Sequence, residues 1–121
     1  MNKSILFVDD DPRIRELLRA TLEPHFSLLE AEGGQKALHI LERSSPDLII
    51  LDIAMPQMDG FEVCQRIKSN SSTQHIPVII LTGTALTQRD KNRGKQVGAD
   101  TYFTKPFSPR KLLDKVNEFL G

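Results

Sequence analysis

Three runs of this chain, Ile5–Val8, Leu48–Leu51 and Val78–Leu81, are apolar at every position. A strand with one wet face would alternate apolar and polar residues, so these three must be covered on both faces. Longer stretches with apolar residues at helical spacing lie between and after them: Ile14, Leu17, Leu18 and Leu22; Ala37, Leu38 and Leu41; Leu112, Leu113, Val116, Phe119 and Leu120. Doubly covered strands that alternate with helices form a parallel sheet with helices on both sides. With 121 residues the chain is one ordinary domain, residues 1–121, long enough to bury a core.

The pattern predicts five strand–helix units. Strands are expected over Ser4–Val8, Phe26–Ala31, Asp47–Asp52, Ile76–Leu81 and Thr101–Thr104. Asp11-Pro12 and Ser108-Pro109 each place a capping acceptor before a proline, where a helix needs no N–H. Gly33-Gly34 opens the second helix and Pro46 closes it. Asp59 and Glu62 have the spacing of a capping box for the third. The fourth helix, expected over Leu86–Val97, is the weakest: only its ends are apolar, and Gly94 costs it ~1 kcal/mol relative to alanine. Five such units give an α/β, flavodoxin-like (βα)5 doubly wound parallel five-stranded sheet of order 2-1-3-4-5, helices on both faces. The ligand site of such a sheet lies beyond the carboxyl ends of its strands, at the point where the order reverses.

Chemistry-bearing residues stand there. Asp9, Asp10 and Asp11 follow the first strand, Asp52 ends the third, Thr82 follows the fourth and Lys105 the fifth. Asp11 reads as the helix cap. Asp9, Asp10 and Asp52 crowd three carboxylates together and require a cation. Their donors are hard oxygens without histidine or cysteine, which favours Mg²⁺ or Mn²⁺ over zinc; the acids are few for Ca²⁺. Asp52, closing a buried strand, is a candidate nucleophile toward phosphorus. Lys105 and Thr82 supply the ammonium and hydroxyl that a transferred phosphoryl group needs.

Sixteen basic and sixteen acidic residues cancel, which argues against direct nucleic-acid contact. The single cysteine, Cys64, excludes an internal disulfide and a cysteine metal site, and reads as a small core residue. His25, His39 and His75 are scattered. No apolar run is long enough for a membrane helix, and the first residues carry no secretory pattern. A cytoplasmic setting is expected. Neither a Walker glycine loop nor a dinucleotide fingerprint occurs, and the acidic first loop would repel a flavin phosphate.

Together these pieces resemble the receiver domain of two-component response regulators. The matching segments are Ile5-Leu6-Phe7-Val8-Asp9-Asp10-Asp11-Pro12, Asp47-Leu48-Ile49-Ile50-Leu51-Asp52, Met55-Pro56-Gln57-Met58-Asp59-Gly60, Ile76-Pro77-Val78-Ile79-Ile80-Leu81-Thr82 and Gly98 through Phe107. The resemblance implies a phosphorylation-operated switch in a phosphorelay. Asp52 would accept a phosphoryl group from a sensor histidine kinase or phosphotransfer protein. Asp10 and Asp52 would ligate Mg²⁺, with Asp9 acting mainly through water and the backbone carbonyl of Ala54 as a further ligand. Lys105 would pair with the phosphate, and its bond to Pro106 would be cis. Thr82 would move toward the phosphoryl oxygen, and Tyr102 would turn into the vacated space. The fourth helix, fifth strand and fifth helix would form the face for a homodimer or output partner.

The resemblance also implies self-catalysed phosphorylation and dephosphorylation without turnover of an outside substrate. Gly83 departs from the alanine common after the threonine, and Ala54 and Thr84 occupy positions that influence phosphoryl lifetime. Arg89, Lys91, Arg93 and Lys95 fall as two i,i+4 pairs and read as solvated surface. Two rivals remain on the sequence alone. One is a receiver fold that is never phosphorylated and acts only as an interaction module. The other is a small phosphatase of the haloacid-dehalogenase type, against which stand the proline after Asp11 and the lack of an acidic pair after the fourth strand.

Overall fold

The computed structural model describes residues 2–83 and 87–121. Ten elements alternate: β1 (Ser4–Val8), α1 (Pro12–Leu22), β2 (Ser27–Ala31), α2 (Gly34–Leu41), β3 (Leu48–Asp52), α3 (Gly60–Ser69), β4 (Val78–Thr82), α4 (Gln88–Val97), β5 (Thr101–Thr104) and α5 (Pro109–Leu120). The strands pair in parallel in the order β2-β1-β3-β4-β5, as the alternation of the sequence predicts.

The pleat divides the core in two. Ile5, Phe7, Leu48, Ile50, Ile79 and Leu81 meet Leu18 and Leu22 of α1 and Leu112 and Val116 of α5. Leu6, Val8, Ile49, Leu51, Val78 and Ile80 meet Ala37 of α2 and Val63, Cys64 and Ile67 of α3 on the other face. Each fully buried leucine or isoleucine contributes roughly 1.5–3 kcal/mol by leaving water. Cys64 belongs to this core; its thiol points at the Val97 carbonyl, 3.6 Å away, and burial pushes its pKa up to about 11.

Local chemistry moves some boundaries. Strand β4 starts at Val78 rather than Ile76, because Pro77 has no N–H to give and the Ile76 N–H closes a turn onto the Thr73 carbonyl at 3.0 Å. Thr82 joins the strand as its last residue. Strand β2 starts one residue late because the Phe26 N–H completes the turn after α1, bonding Leu22 O at 3.0 Å. The cap at α3 is half of the expected box: the Asp59 carboxylate accepts from the Glu62 N–H, while the Glu62 carboxylate lies 3.6 Å from Arg66. The full box stands at α4, between Thr87 and Asp90. Leu86, the expected start of that helix, and Thr84 lie outside the described residues.

Helix α4 is as weakly anchored as its sequence suggests, and Gly94 is its buried residue. The reason for glycine there is space. A Cβ at Gly94 would overlap the Tyr102 hydroxyl and lie 2.8 Å from its Cζ. The Tyr102 ring packs against the helix at this point and donates its hydroxyl to the Lys91 carbonyl at 3.1 Å. Gly94→Ala should therefore gain its helix propensity, about 0.8–1.0 kcal/mol, only where Tyr102 has been cut to alanine. Urea unfolding of the two single variants, the double variant and the parent should give a coupling of about 1 kcal/mol or more. Additive values would mean that Tyr102 swings aside without cost.

Candidate functional site

The strand ends carry the predicted residues to one rim. Asp9 follows β1 directly and is fully buried, Asp52 ends β3 at 2% exposure, and Thr82 ends β4 at 1%. Strands β4 and β5 pair Thr82 with Thr104, so Lys105 emerges beside Thr82, and its N–H donates to the Thr82 carbonyl at 2.6 Å. The Lys105–Pro106 bond is cis, as the resemblance implies. The ammonium bridges two strands: Nζ lies 2.8 Å from Asp9 Oδ2 and 3.4 Å from Asp52 Oδ1.

Asp9, Asp10 and Asp52 each offer a carboxylate oxygen within 4.8 Å of the others. Asp9 and Asp52 are buried, while Asp10 opens the cluster to solvent. Asp9 Oδ1 accepts the Asp11 N–H at 2.9 Å. Asp9 Oδ2 is buried, and the polar group facing it is the Lys105 ammonium at 2.8 Å. Asp52 Oδ1 accepts the Ala54 N–H at 3.4 Å. Three carboxylates and one ammonium leave a formal charge of −2 here. A buried, incompletely bonded oxygen among hard donors fits a small divalent cation of the magnesium type. Asp11 caps α1, accepting the Arg13 N–H at 2.9 Å, as read from its Asp-Pro pair.

The electrostatics follow. Burial, then the Asp9 charge, raises the Asp52 pKa above the ordinary carboxylate value, with Lys105 opposing. Burial would lower the Lys105 pKa, but its pairing with Asp9 and Asp52 outweighs that and raises it. An acid with a raised folded pKa contributes stability fully below its unfolded value, near 3.8, and loses it as pH rises through the folded value. Ionised Asp52 therefore costs the metal-free protein stability at neutral pH. Asp52→Asn should be more stable than the parent at pH 7 in EDTA, with the advantage shrinking as pH falls toward 4. Urea midpoints across this range test it, and a constant difference would refute it.

Residues 5–117 match the family model of the response regulator receiver domain. The chain belongs to that family. This receiver is 41% identical over 121 residues to the Phosphate regulon transcriptional regulatory protein PhoB of Pseudomonas aeruginosa, covering 99% of this chain and 52% of PhoB. The chain thus spans about half the length of the curated relatives it matches. Among solved structures, the chemotaxis protein CheY4 of Vibrio cholerae superposes with a TM-score of 0.93 at 32% identity, covering 98% of this chain and 99% of that one. The receiver domain of a Pseudomonas aeruginosa sensor histidine kinase, solved with a magnesium ion coordinated in its active-site cleft, gives 0.90 at 28% identity. That match covers 100% of this chain and 99% of the other.

The structure of this receiver places Asp9, Asp10, Asp52 and Lys105 together, Thr82 at the adjoining strand end, and Ala54 exposed in the loop two residues beyond Asp52. Tyr102 is half-buried on β5, with its hydroxyl held by α4. Two contacts escape the sequence reading. Arg93 of α4 is exposed, as expected, yet it also makes two contacts across elements: Nη2 is 3.0 Å from Asp59 Oδ2, and the guanidinium sits 4.8 Å from the centre of the Phe61 ring. Helix α4 is thereby tied to the start of α3. Arg15 of α1 reaches the backbone of Asp9 itself. Neither contact leaves a local signal, since each joins residues of different elements. No helix of the described residues is long and apolar enough to cross a membrane.

Proposed function

We propose that this receiver is a switch thrown by phosphorylation of Asp52. The observation that carries the reading is the buried Asp52 carboxylate at the end of β3, with Asp9 and Asp10 within 4.8 Å and Lys105 Nζ at 3.4 Å. The donor is a phosphohistidine on a histidine kinase or phosphotransfer protein. An Asp52 oxygen attacks phosphorus, the P–N bond breaks, and its electron pair stays on the leaving imidazole. Asp10 and Asp52, with the Ala54 carbonyl, would hold Mg²⁺, and Asp9 would act mainly through water; Mn²⁺ has the same donor preference and would substitute. The bound cation supplies neutralisation of charge on the phosphoryl oxygens.

The remaining work falls to side chains of this chain. Lys105 exchanges its carboxylate partners for a phosphoryl oxygen, and Thr82 turns its hydroxyl onto another. Burial of Asp9 and Asp52 keeps the field of Lys105 strong by excluding water. Contacts made only with phosphate then bias Thr82 and Tyr102 toward a second packing of α4, β5 and α5. A weakly buried α4 suits such a shift, and that face is the one offered to a second copy or an output partner. Phosphorylation and hydrolysis occur at the receiver's own site in a cytoplasmic setting.

Intact mass after brief incubation with acetyl phosphate and Mg²⁺ tests the reading. One phosphoryl group should appear on the parent, and none in EDTA or on Asp52→Asn. Absence of the adduct with both acetyl phosphate and a phosphohistidine donor, together with failure to bind Mg²⁺, would leave an interaction module that is never phosphorylated.

A further inference from the structure

The guanidinium of Arg15 is mostly buried, its side chain 16% exposed, and it points at the acidic loop from α1. Its Nη1 donates to the backbone carbonyl of Asp9 at 2.7 Å. Its Nε donates to Glu30 Oε1 on β2 at 3.0 Å. Glu30 is also held by Arg19, with Nη2 to the same Oε1 at 2.6 Å and Nε to Oε2 at 3.2 Å. The Asp9 N–H is bound to the Ala31 carbonyl at 3.2 Å, one residue beyond Glu30. Strand β2 therefore holds Asp9 twice: directly by its backbone, and through Glu30 and Arg15 at the carbonyl.

That carbonyl belongs to the peptide joining Asp9 to Asp10. Holding its oxygen in place restricts the peptide from which both carboxylates branch. A cation drawn toward three acids by charge alone does not require this. A site whose ligands must be aimed does.

We infer that Arg15 is a positioning residue for the cation site, aiming Asp9 and Asp10 through their shared peptide, with Glu30 holding its guanidinium in place. The inference rests on the reading of the acidic cluster as a divalent-cation site. It assigns Arg15 an effect opposite in sign to that of its charge. A guanidinium among acids competes electrostatically with a metal ion, so removing the charge alone would tighten cation binding. Removing the positioning weakens it. Lysine keeps the charge but lacks the fork that serves a carbonyl and a carboxylate together.

Titration calorimetry with MgCl₂, without any phosphoryl donor, decides the matter. Arg15→Met and Arg15→Lys should each bind Mg²⁺ about tenfold more weakly than the parent. Glu30→Gln retains an acceptor for Arg15 and should stay within about twofold of the parent by the same reasoning. Thermal unfolding in EDTA identifies which variants are folded, and Arg15→Lys and Glu30→Gln keep the test open if Arg15→Met is not. Tighter or unchanged binding by a folded Arg15→Met overturns the inference. So does parent-like binding by Arg15→Lys. Failure of the parent to bind Mg²⁺ overturns the cation site itself, and this inference with it.

Discussion

With Lys105 replaced by methionine, phosphoryl transfer from acetyl phosphate to Asp52 should slow by about 10²–10³-fold, and the metal-free protein should lose about 3 kcal/mol at pH 7. The two effects have separate causes. Lys105 neutralises Asp9 Oδ2 at 2.8 Å and Asp52 Oδ1 at 3.4 Å, both on buried carboxylates. Methionine keeps most of the stem and removes the charge, so Asp9 and Asp52 repel without compensation. The loss lies toward the low end for a broken buried pair because Asp10 opens the cluster to water.

The raised Lys105 pKa lies above the ordinary lysine value of 10.5, so the stability that its charge contributes is fully present at pH 7 and disappears only at strongly alkaline pH. In the variant, acid should restore part of the loss as Asp52 takes up a proton. Saturating Mg²⁺ should restore most of it by supplying the missing positive charge. The slowed transfer should persist in saturating Mg²⁺, because on the function proposed above the ammonium would pair with a phosphoryl oxygen that the cation would not replace. Urea unfolding in EDTA and in Mg²⁺, beside an intact-mass time course, separates them. Recovery of the rate in Mg²⁺ would reduce Lys105 to a counter-charge.

What the sequence makes legible follows from periodicity and chain order. Leu48–Leu51 reads as a doubly covered strand because all four residues are apolar, and the two core clusters bear that out. Asp9, Asp52, Thr82 and Lys105 are legible because each follows or ends a run of strand residues, and parallel strands deliver their carboxyl ends to one rim. The contacts that join elements are not legible in this way. Arg15 and Glu30 lie 15 residues apart, on a helix and an edge strand, and nothing local distinguishes Arg15 from Arg13, which stays on the surface with Asp11. Gly94 reads as a flaw in a weak helix until Tyr102, eight positions on, is seen to occupy the space of its missing side chain. The Thr87–Asp90 box shows the opposite case: its spacing is local and stands in the sequence, and it starts the helix at Gln88, two residues after the expected Leu86.

Gly60 carries the second large effect. A Cβ there would overlap the Asp52 carbonyl oxygen and lie 2.7 Å from Ile53 Cα and 2.9 Å from the Asp52 carbonyl carbon. All three atoms are backbone, so no side chain can swing aside. The Gly60 N–H also bonds the Ile53 carbonyl at 3.1 Å, while Asp59 before it caps α3 and holds Arg93. The start of α3 is thus pressed against the backbone of Asp52, and any side chain must push the two apart. Gly60→Ala should cost about 3 kcal/mol, the upper range for overpacking, and Gly60→Val more. Because the displaced segment begins at Asp52 and carries Ala54, Mg²⁺ binding should weaken in the fraction that still folds. Gly83 is the internal comparison: it follows Thr82 on the same rim, is exposed, and a Cβ there meets nothing within 4 Å. Gly83→Ala should leave the fold intact and gain about 0.4–1 kcal/mol by restricting the unfolded chain. Urea unfolding of the two alanine variants should therefore move the midpoint in opposite directions. Equal shifts would mean that the loop between β3 and α3 yields freely, and that its close approach to Asp52 does not hold the site in shape.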